Sequence, residues 1–416
     1  MPGKHDNLFK KHITLHLTIV FLIIIKSTEN FHIFISPESF TMLKIILVAG
    51  ARPNFMKIAP ILRAFEKRSE INPVLVHTGQ HYDQNMSGSF FEDLGIKNPD
   101  YHLEAGPGSH ANQTANIMIR FEEVCLKEKP DLVIVVGDVN STIGAGLVAK
   151  KLQIKLAHVE AGLRSGDRSM PEEINRLATD SISDYFFTTE PKGTTNLLNE
   201  GVPEKKIQFV GHVMIDNLFF QLSRLEKMES SLNTSPLKNR IQRPYICMTM
   251  HRPSNVDNKE TLSGLFETVQ KLSSDAPVIF PCHPRTRKQI EKSGLMSFFS
   301  IYTDQPSLSS GVYLFEPLGY NEFLNLWKDA SLVLTDSGGL QEETTALKIP
   351  CITMRENTER PVTVDVGSNE IAGTDTKKIL ALGKKALDGR WKESRIPEMW
   401  DGNASERIVE FIVKEL

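Results

Sequence analysis

Cysteine is scarce: the 416 residues carry four, Cys125, Cys247, Cys282 and Cys351, with no CxxC pair among them. That speaks against a disulfide-stapled scaffold or a thiolate zinc ribbon, and buried, reduced thiols in a cytosolic protein are the simplest account. Charge of one sign is lacking too. Lys and Arg number 48 against 51 Asp and Glu, a net charge of −3. With no basic stripe interleaved with aromatics, no nucleic-acid partner is expected. The chain contains no tandem repeat of short period and no low-complexity tract. Catalytic and ligand-holding signatures of other classes are missing as well. There is no His-x-His, HExxH or closely spaced Asp pair for a metal, no GxSxG elbow for a nucleophile, and no P-loop or GxGxxG. His158 and Glu160, two apart on a strand, find no third ligand, so no metal is expected. Long apolar runs are absent from Met42 onward. The one that stands out earlier, Ile13 to Ile25 behind a basic start, has thirteen residues, fewer than the roughly 17–25 of a membrane span. No clear cleavage site follows it. Residues 1–41 are therefore expected to be a non-essential extension or a mis-assigned start, with a short anchor or signal as the alternative reading; no membrane association is expected. Met42 opens MLKIILVAGARP, which reads as a first strand with nothing before it.

What is present is a chain too long for one hydrophobic core, with the composition of an ordinary soluble enzyme. Short apolar runs alternate with segments of helical period, the pattern of a parallel sheet covered by helices. Strands are predicted over 43–49, 73–77, 131–137, 155–159, 185–188 and 207–210, with helices such as 56–67 and 172–183 between them. After a looser polar stretch the alternation restarts, with strands over 245–250, 277–281, 312–315, 332–335 and 351–354. The fold class read from this is α/β, with two successive doubly wound parallel sheets. The expected division is a first domain over 42–212, a linker region over 213–243, a second domain over 244–400 and a terminal helix over 401–416.

Ligands of an open parallel sheet bind beyond the carboxyl ends of its strands, and the polar clusters of this chain fall there. In Thr335-Asp336-Ser337-Gly338-Gly339-Leu340-Gln341-Glu342-Glu343 an apolar strand turns through two glycines into a helix. Such a turn offers free backbone N–H groups and the positive end of a helix dipole, which attract phosphate. Glu343, one turn into the helix, is placed to accept hydrogen bonds from ribose hydroxyls. An ordinary strand–turn–helix connection is the competing account. A second cluster is acidic. Asp138 and Glu160 each end an apolar strand, and Glu172 lies in the helix start Ser169-Met170-Pro171-Glu172. Three converging carboxylates would raise one another's pKa, allowing a general acid and a general base to coexist. For Glu172 a capping box with Ser169 is the plainer reading, and Glu172 and Arg176, four apart, would pair on one helix face.

Together, GARPNFMKIAP, TGQHYDQNMS, VVGDVNST, HVEAGLRSGDRSMPEEINR, MHRPSNVD, EPLGYNEF, TDSGGLQEE and MRENTERP resemble the non-hydrolysing UDP-N-acetylglucosamine 2-epimerases. They stand in that family's order and cover nearly everything from Met42 onward. The resemblance implies a GT-B-like fold of two facing Rossmann-like domains, usually a homodimer, working without metal or cofactor on UDP-N-acetylglucosamine and UDP-N-acetylmannosamine. It implies an epimerisation at C2 that proceeds by elimination and re-addition of UDP through 2-acetamidoglucal. By motif match, Asp138, Glu160 and Glu172 resemble the catalytic carboxylates, Arg176 the arginine beside them, and His251 the histidine that contacts the phosphates. Arg52, Lys57, Phe323, Ser337, Gly338, Gly339, Glu343 and Arg360 match nucleotide-sugar positions, with Phe323 near the uracil. Gln80 and His81 match positions where members hold a second UDP-N-acetylglucosamine as an activator. The chain departs from the family pattern at His81-Tyr82-Asp83 and at Pro253-Ser254. A GT-B glycosyltransferase, a hydrolysing epimerase, an epimerase of a modified sugar and a non-catalytic nucleotide-sugar sensor are the competing readings.

Overall fold

Residues 42–80, 88–300 and 306–416 are described by a computed structural model; the expectations for residues 1–41 and for His81 lie outside the described residues. The first sheet holds β1 (Leu43–Ala49), β2 (Ile71–His77), β3 (Tyr101–His102), β4 (Leu132–Val136), β5 (Lys155–Val159), β6 (Tyr185–Thr188) and β7 (Ile207–Phe209). These seven strands are parallel and ordered β3-β2-β1-β4-β5-β6-β7. The second holds β8 (Ile246–Thr249), β9 (Val278–Pro281), β10 (Val312–Phe315), β11 (Leu332–Thr335), β12 (Cys351–Thr353) and β13 (Asn369–Ile371). It is parallel too, ordered β10-β9-β8-β11-β12-β13.

Helices cover both faces of each sheet, so successive strand residues serve opposite cores. Ile45 and Leu47 of β1 enter one apolar cluster while Ile46 and Val48 enter another. In the second sheet Ile246 and Met248 face one side and Cys247 the other. All four cysteines are buried and free. Burial pushes the Cys125, Cys282 and Cys351 thiols up to about 12, so they behave as small hydrophobic side chains.

The strand order reverses between β1 and β4 in the first sheet and between β8 and β11 in the second. Those are the topological switch points where a doubly wound sheet opens a crevice at its carboxyl edge. The loops leaving these four strands carry Gly50-Ala51-Arg52, Gly137-Asp138, Met250-His251 and Asp336-Ser337-Gly338.

Two helices tie the sheets together. Helix Val213–Met228 gives Val213 and Met214 to the first sheet's core and Ile215, Leu218 and Leu225 to the second's. Helix Ala404–Glu415 follows the second sheet in sequence but packs Ala404, Ile408, Val409 and Ile412 into the first sheet's core. Asp216 caps it, accepting from Ala404 N (3.1 Å), Ser405 N (2.6 Å) and Ser405 Oγ (2.6 Å). Leu43–Leu416 is accordingly one compact unit. No helix among the described residues is long and apolar enough to cross a membrane.

Candidate active site

Helix Arg52–Phe65 begins directly after β1, with Pro53 in its first turn, where a missing N–H costs nothing. Asn54 fixes its start by accepting from Ala51 N (3.0 Å) and donating to Val136 O (3.2 Å) at the end of β4. This start precedes the expected one at Met56 and sets Arg52 and Lys57 over the crevice. The crevice has two adjoining halves that share Pro53, Met214 and Gly339 in their walls.

The wider half encloses about 490 Å³ and is lined by Arg52, His251, His283, Phe323, Ser337, Gly339 and Glu343, with Tyr320 and Leu340 beside them. Ser337 stands at the N-cap of helix Gly338–Ala346 with no side-chain capping bond, and Ser337, Gly338 and Gly339 line the cavities, a helix start suited to an anion. A Cβ added at Gly338 would meet no protein atom and would project into free space. Asp336, fully buried, accepts from His251 N (2.9 Å), Arg252 N (2.8 Å) and Asn255 Nδ2 (3.2 Å). Its Oδ1 also lies 3.0 Å from His251 Nδ1. Burial would raise the Asp336 carboxyl, but these donors hold it below its usual range. His251 is thus oriented with Nδ1 on the carboxylate and Nε2 left for the cavity. Glu343 accepts from the Tyr320 hydroxyl (2.6 Å), and burial together with neighbouring Glu342 lifts its carboxyl to about 8.

The narrower half is lined by Lys57, Asp138, Glu160, Arg176, Glu342, Arg355, Glu359 and Arg360. Glu160 follows β5 in a left-handed conformation, φ +70, which a non-glycine residue holds only where its surroundings enforce it. Both its oxygens are engaged, Oε2 by Lys57 Nζ and Oε1 by Arg360 Nη2 at 2.7 Å. Gly137, also left-handed at φ +69, brings β4's exit beside this pair. Asp138 Oδ2 meets Arg176 Nη2 at 2.5 Å. Arg360 is itself buried, with Nε on Glu342 Oε1 and Nη1 on Thr189 Oγ1 at 2.8 Å.

Three expectations are corrected here. Mutual repulsion of carboxylates does not raise Glu160: burial pushes its pKa up, but Lys57 and Arg360 outweigh that and hold it far below the usual carboxylate range. Arg176 pairs with Glu173, at 2.8 Å, and with Asp138, not with Glu172. No Ser169–Glu172 capping box forms: Met170 is the cap residue, and the Ser169 hydroxyl donates to Asp167 Oδ1 (2.6 Å).

Glu172 stands apart from Glu160. It lines an adjoining recess with Gln80, His110, Gln113, Asn140 and Asn175, which meets the narrower half only at Asp138. Gln80 Oε1 is committed to Ser141 N (2.9 Å) and Ser141 Oγ (2.7 Å). His158, next but one to Glu160, has Nδ1 on Asp180 (2.7 Å) and Nε2 on Gly137 O (2.8 Å). The ring therefore ties β5 to the exit of β4 and to helix Pro171–Ile182. Asp336, Glu342, Tyr320, His283 and His212 were not singled out from the sequence. Asp336 carried a signal, a carboxylate ending an apolar strand; the others carried none beyond their neighbours.

A phosphate-attracting helix start and an oriented histidine face a carboxylate–cation group across the crevice between two doubly wound sheets. Fold and site together define a GT-B-like protein of the nucleotide-sugar class. The chain belongs to the UDP-N-acetylglucosamine 2-epimerase family, whose model matches residues 63–413. It is 43% identical over 376 residues to the UDP-N-acetylglucosamine 2-epimerase of Methanocaldococcus jannaschii, covering 89% of this chain and 99% of that one. To the UDP-2,3-diacetamido-2,3-dideoxy-D-glucuronate 2-epimerase of Pseudomonas aeruginosa it is 39% identical, over 89% and 100% of the two chains. The crystal structure of the M. jannaschii UDP-GlcNAc 2-epimerase in complex with UDP-GlcNAc and UDP superposes with a TM-score of 0.75 at 42% identity, over 89% of this chain and 100% of that one.

Proposed function

We propose that the chain interconverts UDP-N-acetylglucosamine and UDP-N-acetylmannosamine by elimination and re-addition of UDP. The C2 proton is not beside a carbonyl, so its removal alone would leave a prohibitive carbanion. Elimination avoids that. A carboxylate takes the C2 proton while the C1–O bond breaks, its electron pair leaving with UDP and a C1=C2 bond forming in 2-acetamidoglucal. In the return step the UDP oxygen adds to C1 and a carboxyl delivers a proton to the other face of C2. No oxidant or cofactor enters this balance. Asp138, Glu160 and Glu172 are proposed for the proton transfers and Arg176 for holding Asp138. His251, Arg52, Lys57, Arg360 and the Ser337-Gly338-Gly339 turn are proposed to hold the nucleotide-sugar and stabilise the leaving pyrophosphate. Phe323 is assigned to the uracil and Glu343 to the ribose.

One observation carries this reading: the ionised Glu160 and the helix start beside His251 line adjoining cavities that share Pro53, Met214 and Gly339 as walls. Incubation with UDP-N-acetylglucosamine in D2O, followed by NMR, is the test. Deuterium at C2 and an axial UDP-sugar product are expected. Release of free N-acetylmannosamine would mark a hydrolysing enzyme, and no deuterium uptake would rule out chemistry at C2. Since a relative at 39% identity is named for a 2,3-diacetamido uronate, the same assay with that sugar decides between the plain and the modified substrate.

The product is an activated amino sugar of the kind that glycosyltransferases consume in building surface polysaccharide. Four buried, unpaired thiols support a cytosolic location. Exposed Ile119 and Leu126 on helix His110–Glu128 support a homodimer, and light scattering on the purified chain measures it. Gln80 and His81 remain candidates for an activator site, which hyperbolic rather than sigmoidal dependence on UDP-N-acetylglucosamine would count against.

A further inference from the structure

Behind the carboxylate–cation group lies a histidine that adds no atom to the cavity wall. His212 is fully buried at the junction between β7 and helix Val213–Met228. Its Nδ1 accepts from Met214 N at 3.2 Å, so the ring carries its hydrogen on Nε2. Nε2 lies 3.1 Å from Glu342 Oε1, the same oxygen that receives Arg360 Nε; it is a close polar contact and not a formed hydrogen bond. The ring stands edge-on to Trp400, 5.0 Å between centroids, and Trp400 Nε1 donates to Thr189 O at 3.3 Å. Thr189 Oγ1 in turn receives Arg360 Nη1. The contacts of His212 with Glu342 and with Trp400 thus both lead to the guanidinium that grips Glu160.

We propose that His212 is a positioning residue for the reaction: its ring, in close contact with the Glu342 carboxylate, keeps Glu342 in place, Glu342 fixes the plane of Arg360, and Arg360 fixes the direction in which Glu160 presents its carboxylate to the sugar. The inference rests on the reading that Glu160 works at C2. A guanidinium held by three acceptors cannot swing, whereas one relieved of its Nε partner can turn to grip Glu160 with two nitrogens. That rotation would redirect the Glu160 carboxylate without removing any group that touches the nucleotide. The charged and titratable groups around Glu342 are Arg360, His212, Glu160, Glu190 and the adjacent Glu343. Glu190, buried and with Oε2 unpartnered, is raised by its burial, with Glu342 and Glu160 adding to the shift. His212 and Arg360 are thus the groups that hold Glu342 below its usual range against burial and Glu160.

The test compares His212→Phe, which keeps the ring volume and loses the donor, with His212→Gln, whose amide places a donor near Nε2. For His212→Phe, kcat should fall about 10- to 100-fold, the range for a residue that orients a reacting group. KM and UDP affinity should stay within about threefold, because no nucleotide contact is lost. The acid limb of the kcat profile should move to higher pH, since Glu342 loses a neighbour that favours its ionised form. His212→Gln should recover most of the rate. Should His212→Phe not fold, Glu342→Gln is measured instead, with the same loss in kcat expected. A lowered melting temperature with kcat and acid limb unchanged would mark His212 as structural only and overturn the proposal. The control is Glu160→Gln. If that variant is inactive while His212→Phe turns over normally, this inference alone falls; if Glu160→Gln epimerises at near wild-type rate, the role of Glu160 falls and the inference with it.

Discussion

Glu160 and Glu343 are both buried carboxylic acids on one crevice, yet their surroundings push them in opposite directions. Glu160 lies between Lys57 and Arg360 and stays ionised. Glu343 faces a Tyr320 hydroxyl and the like charge of Glu342, and its carboxyl rises from 4.5 to about 8. The sign follows directly. The stability this group gives the unliganded fold is present below about 4.5, where the unfolded chain is protonated as well, and is lost as the pH climbs through about 8. Ribose hydroxyls donating to Glu343 would favour its ionised form, so UDP binding at pH 7 should release close to one proton. Calorimetric titration in buffers of different protonation enthalpy measures that, and Glu343→Gln should abolish it. A wild-type protein that binds UDP with no proton release would take the ribose contact away from Glu343. The sequence marked Glu343 by its place one turn into a phosphate-facing helix. It gave no sign of Glu342, because adjacent helical residues point about 100° apart and no periodicity says which way the cavity lies.

At the scale of elements, what was readable is what buried apolar surface dictates. β1, β5, β6, β10 and β11 lie where their apolar runs place them, because strands covered on both faces need such runs. β3 and β13, with two and three residues, edge their sheets and present too little apolar side chain to register. Helix Val213–Met228 begins inside the stretch read as a linker. Its apolar residues face two cores at once, so it lacks the single stripe by which an amphipathic helix is recognised. Strand exits determine the site, and Gly137 holds the exit of β4 in a left-handed backbone beside Lys57 and Glu160. At φ +69 an alanine is strained by roughly 1–2 kcal/mol. The new Cβ, 3.5 Å from Lys57 Nζ and Glu160 Oε2, would clash with neither. Gly137→Ala should therefore lower the thermal midpoint and, by relaxing the exit that carries Asp138, lower kcat several-fold with UDP affinity retained. A variant that melts with the wild type would show that this exit carries no strain.

For the whole molecule, the consequential feature is that the chain crosses between the two sheets twice. The outgoing crossing runs from β7 into helix Val213–Met228, and the return runs past Trp400 into helix Ala404–Glu415. The two crossings are bolted together by Asp216 on the Ala404 and Ser405 amides and by the His212–Trp400 ring contact. The first sheet's core therefore contains residues from the far end of the chain, and the second's contains the outgoing helix. Two lobes built this way should melt as one, unlike domains joined by a free linker. Ile408, fully buried against the first sheet, tests this, because it follows the entire second sheet in sequence. Ile408→Ala should cost about 2–5 kcal/mol, the usual range for such a truncation in a core. Scanning calorimetry should then show a single transition moved as a whole to lower temperature. Saturating UDP should raise that same transition, since a ligand seated on loops of both sheets stabilises whatever unfolds with them. If wild type instead gives two transitions, and Ile408→Ala moves only one of them, the lobes are independent bodies and the coupling through these crossings is wrong.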